Sequence, residues 1–168
     1  MRLKKMFLVI ATTMLLSQNI QAGELLNTDD IRVLSGVTSE KMRMVVPKTM
    51  EDIVNDIVYY SNQYGINEYV FTAIIRLESG NNTSKYATER NNLGGIKVDG
   101  KYRYFNNKTE CIEYMAKLLS KQYLSEDGKY YNGTSISEVC IKYNGTDEWT
   151  NQVQSIANKM YKDVKEGE

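Results

Sequence analysis

Between Thr49 and Tyr64 the apolar positions recur at three- and four-residue steps. Ile53, Val54, Ile57, Val58 and Tyr64 fall on one helical face, and Gly65 ends the run. Thr49-Met50-Glu51-Asp52 has the form of a capping box, so the helix is expected to begin there. A second helix is predicted from Asn67, as N-cap, to Ser79, stopped by Gly80-Asn81-Asn82. The period then changes, and Gly94–Val98 and Lys101–Phe105 flank Asp99-Gly100, a two-residue hairpin signal. Asn107, with Glu110 three residues on, is expected to cap another helix with Ile112, Met115, Leu118 and Leu119 on its apolar face. After a loop rich in Gly and Tyr, Ile136–Tyr143 and Trp149–Val164 are predicted as two more helices, separated by Asn144-Gly145-Thr146-Asp147. The pattern predicts a mainly α fold with a short β-hairpin lobe.

The chain before Thr49 reads differently. Arg2, Lys4 and Lys5 precede an apolar run from Met6 to Leu16 and then Ser17-Gln18-Asn19, the order of a signal peptide. The run is well short of the roughly twenty residues that span a bilayer, so no stable membrane span is expected. A leader over residues 1–22 would end at Ala22, with bulky Ile20 leaving the cleavage point open. Residues 23–48 are weakly patterned and hold the single proline, Pro47. They are expected to form a linker or N-terminal arm, with a short helix around Leu25–Leu34, ahead of one domain over residues 49–168.

Composition narrows the chemistry. The 21 basic and 21 acidic residues cancel, which leaves no electrostatic footprint for nucleic acid. Histidine is absent, which excludes Ser-His-Asp and Cys-His hydrolysis and the usual catalytic zinc site. Acid–base work falls to carboxylates, tyrosines and lysines, and neither metal nor cofactor is expected. Cys111 and Cys140 could pair in an oxidising exterior or serve as two small buried apolar residues.

One carboxylate stands where a solubilising residue does not belong. On a helical wheel centred on Ile74, at about 100° per residue, Val70, Phe71, Ile75 and Leu77 lie within a half-turn, and Glu78 lands in the same arc while Arg76 points to the solvent side. The last helical turn also presents the negative end of the helix dipole, worth about 0.3–1 kcal/mol against an anion. Burial, the larger effect, favours the protonated acid as well. Periodicity alone leaves open a proton-donating acid, a partly exposed glutamate at the stripe's edge, or a buried one held by a basic partner.

Ala73-Ile74-Ile75-Arg76-Leu77-Glu78-Ser79-Gly80, followed by Asn91-Asn92-Leu93-Gly94-Gly95-Ile96-Lys97, resembles the glucosaminidases of the lysozyme superfamily, glycoside hydrolase family 73. Tyr102–Tyr123 and Tyr143-Asn144-Gly145-Thr146-Asp147-Glu148-Trp149 extend the resemblance, which runs from about Thr49 to Tyr161. It implies a lysozyme-like α+β fold with Glu78 as general acid. It also implies Tyr143 beside the scissile sugar, a cleft floor from Asn92, Gly94, Gly95, Ile96 and Lys97, and Ser79 at the substrate. Tyr102 and Tyr104 alternate onto one hairpin face, where they would stack on sugar rings or simply pack across the strands.

Many members of that family carry a second acid in a longer β-lobe. Here Asp99 reads as a turn residue, Glu110 as a cap, and Glu89 merely precedes Asn91-Asn92. Without a second carboxylate, attack by the substrate's N-acetyl group or 6-hydroxyl would need only one acid. The resemblance implies a hydrolase of peptidoglycan glycan strands, of the endo-β-N-acetylglucosaminidase type, and with the leader the protein is expected to be secreted, extracellular or wall-associated, and monomeric. A lytic transglycosylase on the same polymer, or a non-catalytic wall-binding protein of the same fold, are the alternatives.

Overall fold

The Asn67 side chain accepts hydrogen bonds from the amides of Tyr69 and Val70 at 3.1 and 3.3 Å, so the predicted N-cap starts the helix that organises the chain. That helix ends at Gly80, whose left-handed φ of +58° turns the backbone and lets its amide bond back to Arg76 and Leu77. The computed structural model describes residues 26–168, so the leader read over 1–22 lies outside the described residues. The elements are α1 (Ser39–Val45), a 3-10 turn (Lys48–Met50), α2 (Val54–Tyr64), α3 (Glu68–Ser79), α4 (Lys85–Arg90), β1 (Lys97–Val98), β2 (Lys101–Tyr102), α5 (Lys108–Leu118), a π-helical turn (Leu119–Tyr123), α6 (Ile136–Tyr143) and α7 (Asp147–Glu166).

Helix α3 runs through the core, packed chiefly on α7 and flanked by α2, which in turn packs on α5. Tyr69, Val70, Phe71, Ala73, Ile74 and Ile75 are all buried, as are Glu68 and Thr72, so the helix is enclosed on nearly every side over its first two turns. Arg76 is part of this enclosure. Expected on a solvent face, it is half-buried, with Nε donating to Asn81 Oδ1 at 3.1 Å and burial holding its pKa below the ordinary value.

The stretch expected as a linker or arm is, from Leu26 onward, a strap built into the core. Leu26, Ile31, Val37, Met42 and Val46 are buried. Ile31 donates its amide to Thr134 and accepts the Asn67 amide, at 2.9 and 2.7 Å. The Glu68 carboxylate, fully buried, accepts from the Ser35 amide and hydroxyl, both at 2.8 Å, from the Gly36 amide at 3.2 Å, and from Asn62 Nδ2 at 3.4 Å. No helix forms over residues 26–34. The first one is α1, capped by the Thr38 side chain and packed on α7 and α2. An irregular strap carries no apolar period, which is why its burial escapes pattern reading.

The capping box at Thr49 does not form either. The Thr49 hydroxyl donates to the Asn81 carbonyl at 2.7 Å, and α2 begins at Val54, with Ile53 at its N-cap making no side-chain bond. A tertiary contact has taken the hydroxyl that the cap would use.

The hairpin is as predicted in its turn and shorter in its strands. Asp99 and Gly100 both have positive φ, +49° and +75°, the type I′ geometry that suits a right-twisted pair. Lys97 pairs with Tyr102 and Val98 with Lys101, and beyond them the arms are held by Arg103 N to Ile96 O at 2.9 Å and Phe105 N to Arg90 O at 3.0 Å. The preceding helix α4, capped by Ser84, is not apparent in the apolar pattern. Asn107 caps α5 by accepting from the Glu110 amide at 2.8 Å, and Ser135 with Glu138 forms a full capping box for α6. Cys111 and Cys140 are separate, buried free thiols rather than a pair. Among the described residues, no helix is long and apolar enough to cross a membrane.

Candidate active site

Helix α3 delivers Glu78 to its last turn, half-buried, and the turn between α6 and α7 brings two aromatic rings to it. Thr146 caps α7 by accepting from the Trp149 amide at 3.3 Å, while its carbonyl accepts the Cys140 thiol at 3.1 Å and its hydroxyl donates to Asn144 Oδ1 at 2.6 Å. This turn sets Trp149 in the first turn of α7, with its indole Nε1 donating to Glu78 Oε1 at 2.9 Å.

The Tyr143 ring lies 5.1 Å from that of Trp149 at 31°, Tyr123 lies 5.3 Å from Tyr143, and Tyr130 lies 5.1 Å from Tyr123. A file of four aromatic rings therefore leads up to one carboxyl group. Burial raises the Glu78 pKa above the ordinary carboxylate value, and the indole hydrogen bond opposes that rise. Burial, then the Glu78 charge, raises the Tyr143 hydroxyl far out of the physiological range, so it stays a neutral donor. Among the described residues, no three acidic, His or Cys side chains gather as a metal site.

The β-lobe residues form a second group. The Asn92 side chain is buried, with Nδ2 donating to the carbonyls of Ile96 and Arg103 at 2.8 and 2.9 Å and Oδ1 accepting from the Ile96 amide at 2.8 Å. It braces the lobe. Ser79 is likewise interior, donating to the Ile75 carbonyl at 2.6 Å and accepting from the Asn82 amide at 2.8 Å. Both residues hold the backbone that carries the site.

Gly94 packs so closely on α5 that a Cβ would stand 2.8 Å from Met115 Sδ, and the adjoining Leu93 amide bonds Cys111 Sγ at 3.2 Å. Gly95 takes a left-handed φ of +59° in open space, and Ile96 is half-buried. The Tyr102 ring stacks on Tyr86 of α4 at 3.7 Å and holds Nζ of its cross-strand partner Lys97 4.6 Å from its centroid. Tyr104 is different. It is 64% exposed, with Arg90 4.2 Å from its ring centroid.

The chain matches the glucosaminidase family model, described as mannosyl-glycoprotein endo-beta-N-acetylglucosaminidase, over residues 54–162. It belongs to the glucosaminidase family. The matched span runs from the first residue of α2 into α7 and takes in both the acid and the aromatic file.

The glucosaminidase shares its fold with autolysin catalytic domains of known structure. A catalytic glutamate-to-alanine mutant of S. aureus autolysin E, in complex with the disaccharide NAG-NAM, superimposes with a TM-score of 0.62 over 84% of this chain and 74% of the other, at 14% identity. The same autolysin in complex with the muropeptide NAM-L-Ala-D-iGlu gives 0.64 at the same coverage and identity. The catalytic domain of the autolysin Auto from Listeria monocytogenes gives 0.58 over 79% of this chain and 90% of the other, at 16% identity. No curated protein matches the chain in sequence.

In this glucosaminidase two of the three other acids weighed from the sequence have local duties. Asp99 makes the hairpin turn, and Glu89 is exposed on α4. Glu110 accepts from the Asn106 amide and side chain, each at 2.8 Å, and pairs with Arg103 at 3.5 Å. Trp149, Tyr123 and Tyr86 are the residues that sequence reasoning missed. The signal for Trp149 was available, as the chain's single tryptophan beside the late tyrosine motif.

Proposed function

We propose that this glucosaminidase cleaves the glycan strands of peptidoglycan at an N-acetylglucosaminyl bond, with Glu78 as the general acid. The observation that carries the reading is the Glu78 carboxyl itself: half-buried at a helix end, raised in pKa by that burial, and held by the Trp149 indole. A group in that state stays protonated to higher pH than a surface carboxyl and can give its proton to a glycosidic oxygen. The NAG-NAM disaccharide and the muropeptide bound by autolysin E support the substrate class.

In the reaction the anomeric C–O bond breaks, the leaving oxygen takes the Glu78 proton, and Glu78 is left as carboxylate. Water supplies the new hydroxyl, directly or after the substrate's own N-acetyl oxygen has attacked, and its proton restores Glu78. Attack from within the substrate needs only this one acid, and it suits a lobe in which Asp99 is engaged as the hairpin turn and Glu110 with Asn106 and Arg103. Tyr143 lines the cleft beside the acid, and Tyr104 offers an open ring to a sugar. The basic, apolar leader over residues 1–22 carries the protein to the wall, where it acts as a monomer.

The test is digestion of purified wall glycan with mass analysis of the fragments. Water-added reducing ends at N-acetylglucosamine are expected, and Glu78→Gln should lower turnover by about 10²–10⁴-fold. Anhydromuramic ends would overturn hydrolysis in favour of transglycosylase chemistry, and a Glu78→Gln protein as active as wild type would remove Glu78 from the reaction.

A further inference from the structure

Trp149 is nearly fully buried, its amide is fixed by the Thr146 hydroxyl and its ring lies against Tyr143, so the indole N–H has one orientation and one acceptor, Glu78 Oε1. An indole N–H can only donate. A neutral carboxyl group has two unlike oxygens, and the carbonyl oxygen is the stronger acceptor. The hydrogen bond therefore makes Oε1 the carbonyl oxygen and puts the acidic proton on Oε2. We propose that Trp149 is a positioning residue that makes Oε2 the proton-delivering oxygen of Glu78 and then stabilises the carboxylate left behind. The proposal rests on Glu78 being the general acid.

The step balances simply. The proton leaves Oε2 for the glycosidic oxygen, the electron pair of the breaking C–O bond stays with that oxygen, and the negative charge is shared by Oε1 and Oε2. The bond from Trp149 then changes from neutral to charge-assisted and roughly doubles in strength. An interaction stronger after proton transfer than before it favours the transition state over bound substrate, so it acts on kcat rather than KM. The same bond limits the rise that burial imposes on the acid, keeping the carboxyl from becoming too weak a donor.

Because the chain has one tryptophan, biosynthetic replacement of tryptophan by its benzothiophene analogue exchanges only this N–H for sulfur and preserves the ring shape. That protein, with Trp149→Phe as its genetic counterpart, should lose about tenfold in kcat on wall glycan with KM within about twofold of wild type. The alkaline limb of its pH–kcat profile should move to higher pH. Should Trp149→Phe fail to fold, the analogue alone decides. A folded analogue protein with wild-type kcat and an unmoved alkaline limb overturns the proposal.

Intrinsic fluorescence separates this proposal from the reading beneath it. The lone indole should titrate with Glu78 in the wild type and lose that transition in Glu78→Gln. A flat fluorescence titration with Glu78→Gln inactive refutes the Trp149 role and leaves the acid in place. A clear titration with Glu78→Gln fully active refutes the acid, and the Trp149 role falls with it.

Discussion

Glu68 offers the most direct test of how the strap over residues 26–37 is held. Its carboxylate is fully buried, with four donors around it: the Ser35 amide and hydroxyl at 2.8 Å on Oε2, and the Gly36 amide and Asn62 Nδ2 at 3.2 and 3.4 Å on Oε1. Glu68→Ala removes every acceptor at once. A hydrogen bond to a charged group contributes about 1.5–3 kcal/mol, but Ser35, Gly36 and Asn62 lie at the surface, where water can partly replace the lost acceptor, and such bonds do not add in full. Counting the two short bonds and discounting the two long ones gives about 3 kcal/mol. At about 2–4 °C per kcal/mol for a domain of this size, Tm should fall by about 6–12 °C. Glu68→Gln keeps the shape but sets an amide N–H₂ against the Ser35 amide or the Gly36 amide, so it should cost about 1–2 kcal/mol. Urea unfolding of the three proteins measures both values. Limited proteolysis should also show cleavage near Leu34–Val37 rising in the same order. Glu68→Ala within about 0.5 kcal/mol of wild type, with the strap still protected, would refute the view that this carboxylate pins it.

Glu78 should leave a pH signature in stability. Its folded pKa is raised above the unfolded value, so its favourable contribution is complete below the ordinary carboxyl pKa and is lost as pH rises through the folded one. Glu78→Gln should therefore match wild type in Tm near pH 4 and exceed it at pH 7, and equal Tm differences at both values would contradict the burial argument. Cys111 should resist alkylation in the native protein, because burial lifts its thiol to about 11 and little thiolate forms at pH 8. Mass spectrometry after iodoacetamide treatment should find it modified only once the chain is unfolded, and rapid native labelling would show that the lobe opens over it.

What could be read from the residues follows the range of the forces involved. The caps at Asn67 and Asn107, the Gly80 stop and the Asp99-Gly100 turn are decided within four residues of chain, and each stands where the sequence implies. The inward placing of Glu78 follows from the helical period alone. The strap is different, because Glu68 reaches Ser35 across thirty-three residues and nothing local marks either one. Trp149 reaches Glu78 across seventy-one. The Glu-Ser-Gly and Asn-Asn steps also carry residues whose side chains turn inward. Their Ser79 and Asn92 belong to the motif as braces of the backbone, and a motif by itself does not separate a side chain that touches substrate from one that holds the chain beneath it.

The Glu78 site joins two groups of residues that fold by different rules. The acid sits on a helix enclosed by apolar packing, where desolvation raises its pKa and the geometry allows little movement. Tyr143 and the indole donor flank a tight turn at which Thr146 bonds the Cys140 thiol of α6, the Asn144 side chain and the Trp149 amide of α7. Burial raises the Glu78 pKa, and the indole hydrogen bond works against that rise. The working pKa depends on the distance between α3 and the start of α7, so a change at Thr146 should alter the pH profile before it alters the fold. Thr146→Ala removes the hydroxyl that caps Trp149 and costs about 1 kcal/mol in stability, well within what a domain tolerates. Its sharper effect should be on activity, as a shifted alkaline limb with an intact circular-dichroism spectrum. An unshifted limb would mean that the Tyr143 stack holds the indole without help from the turn.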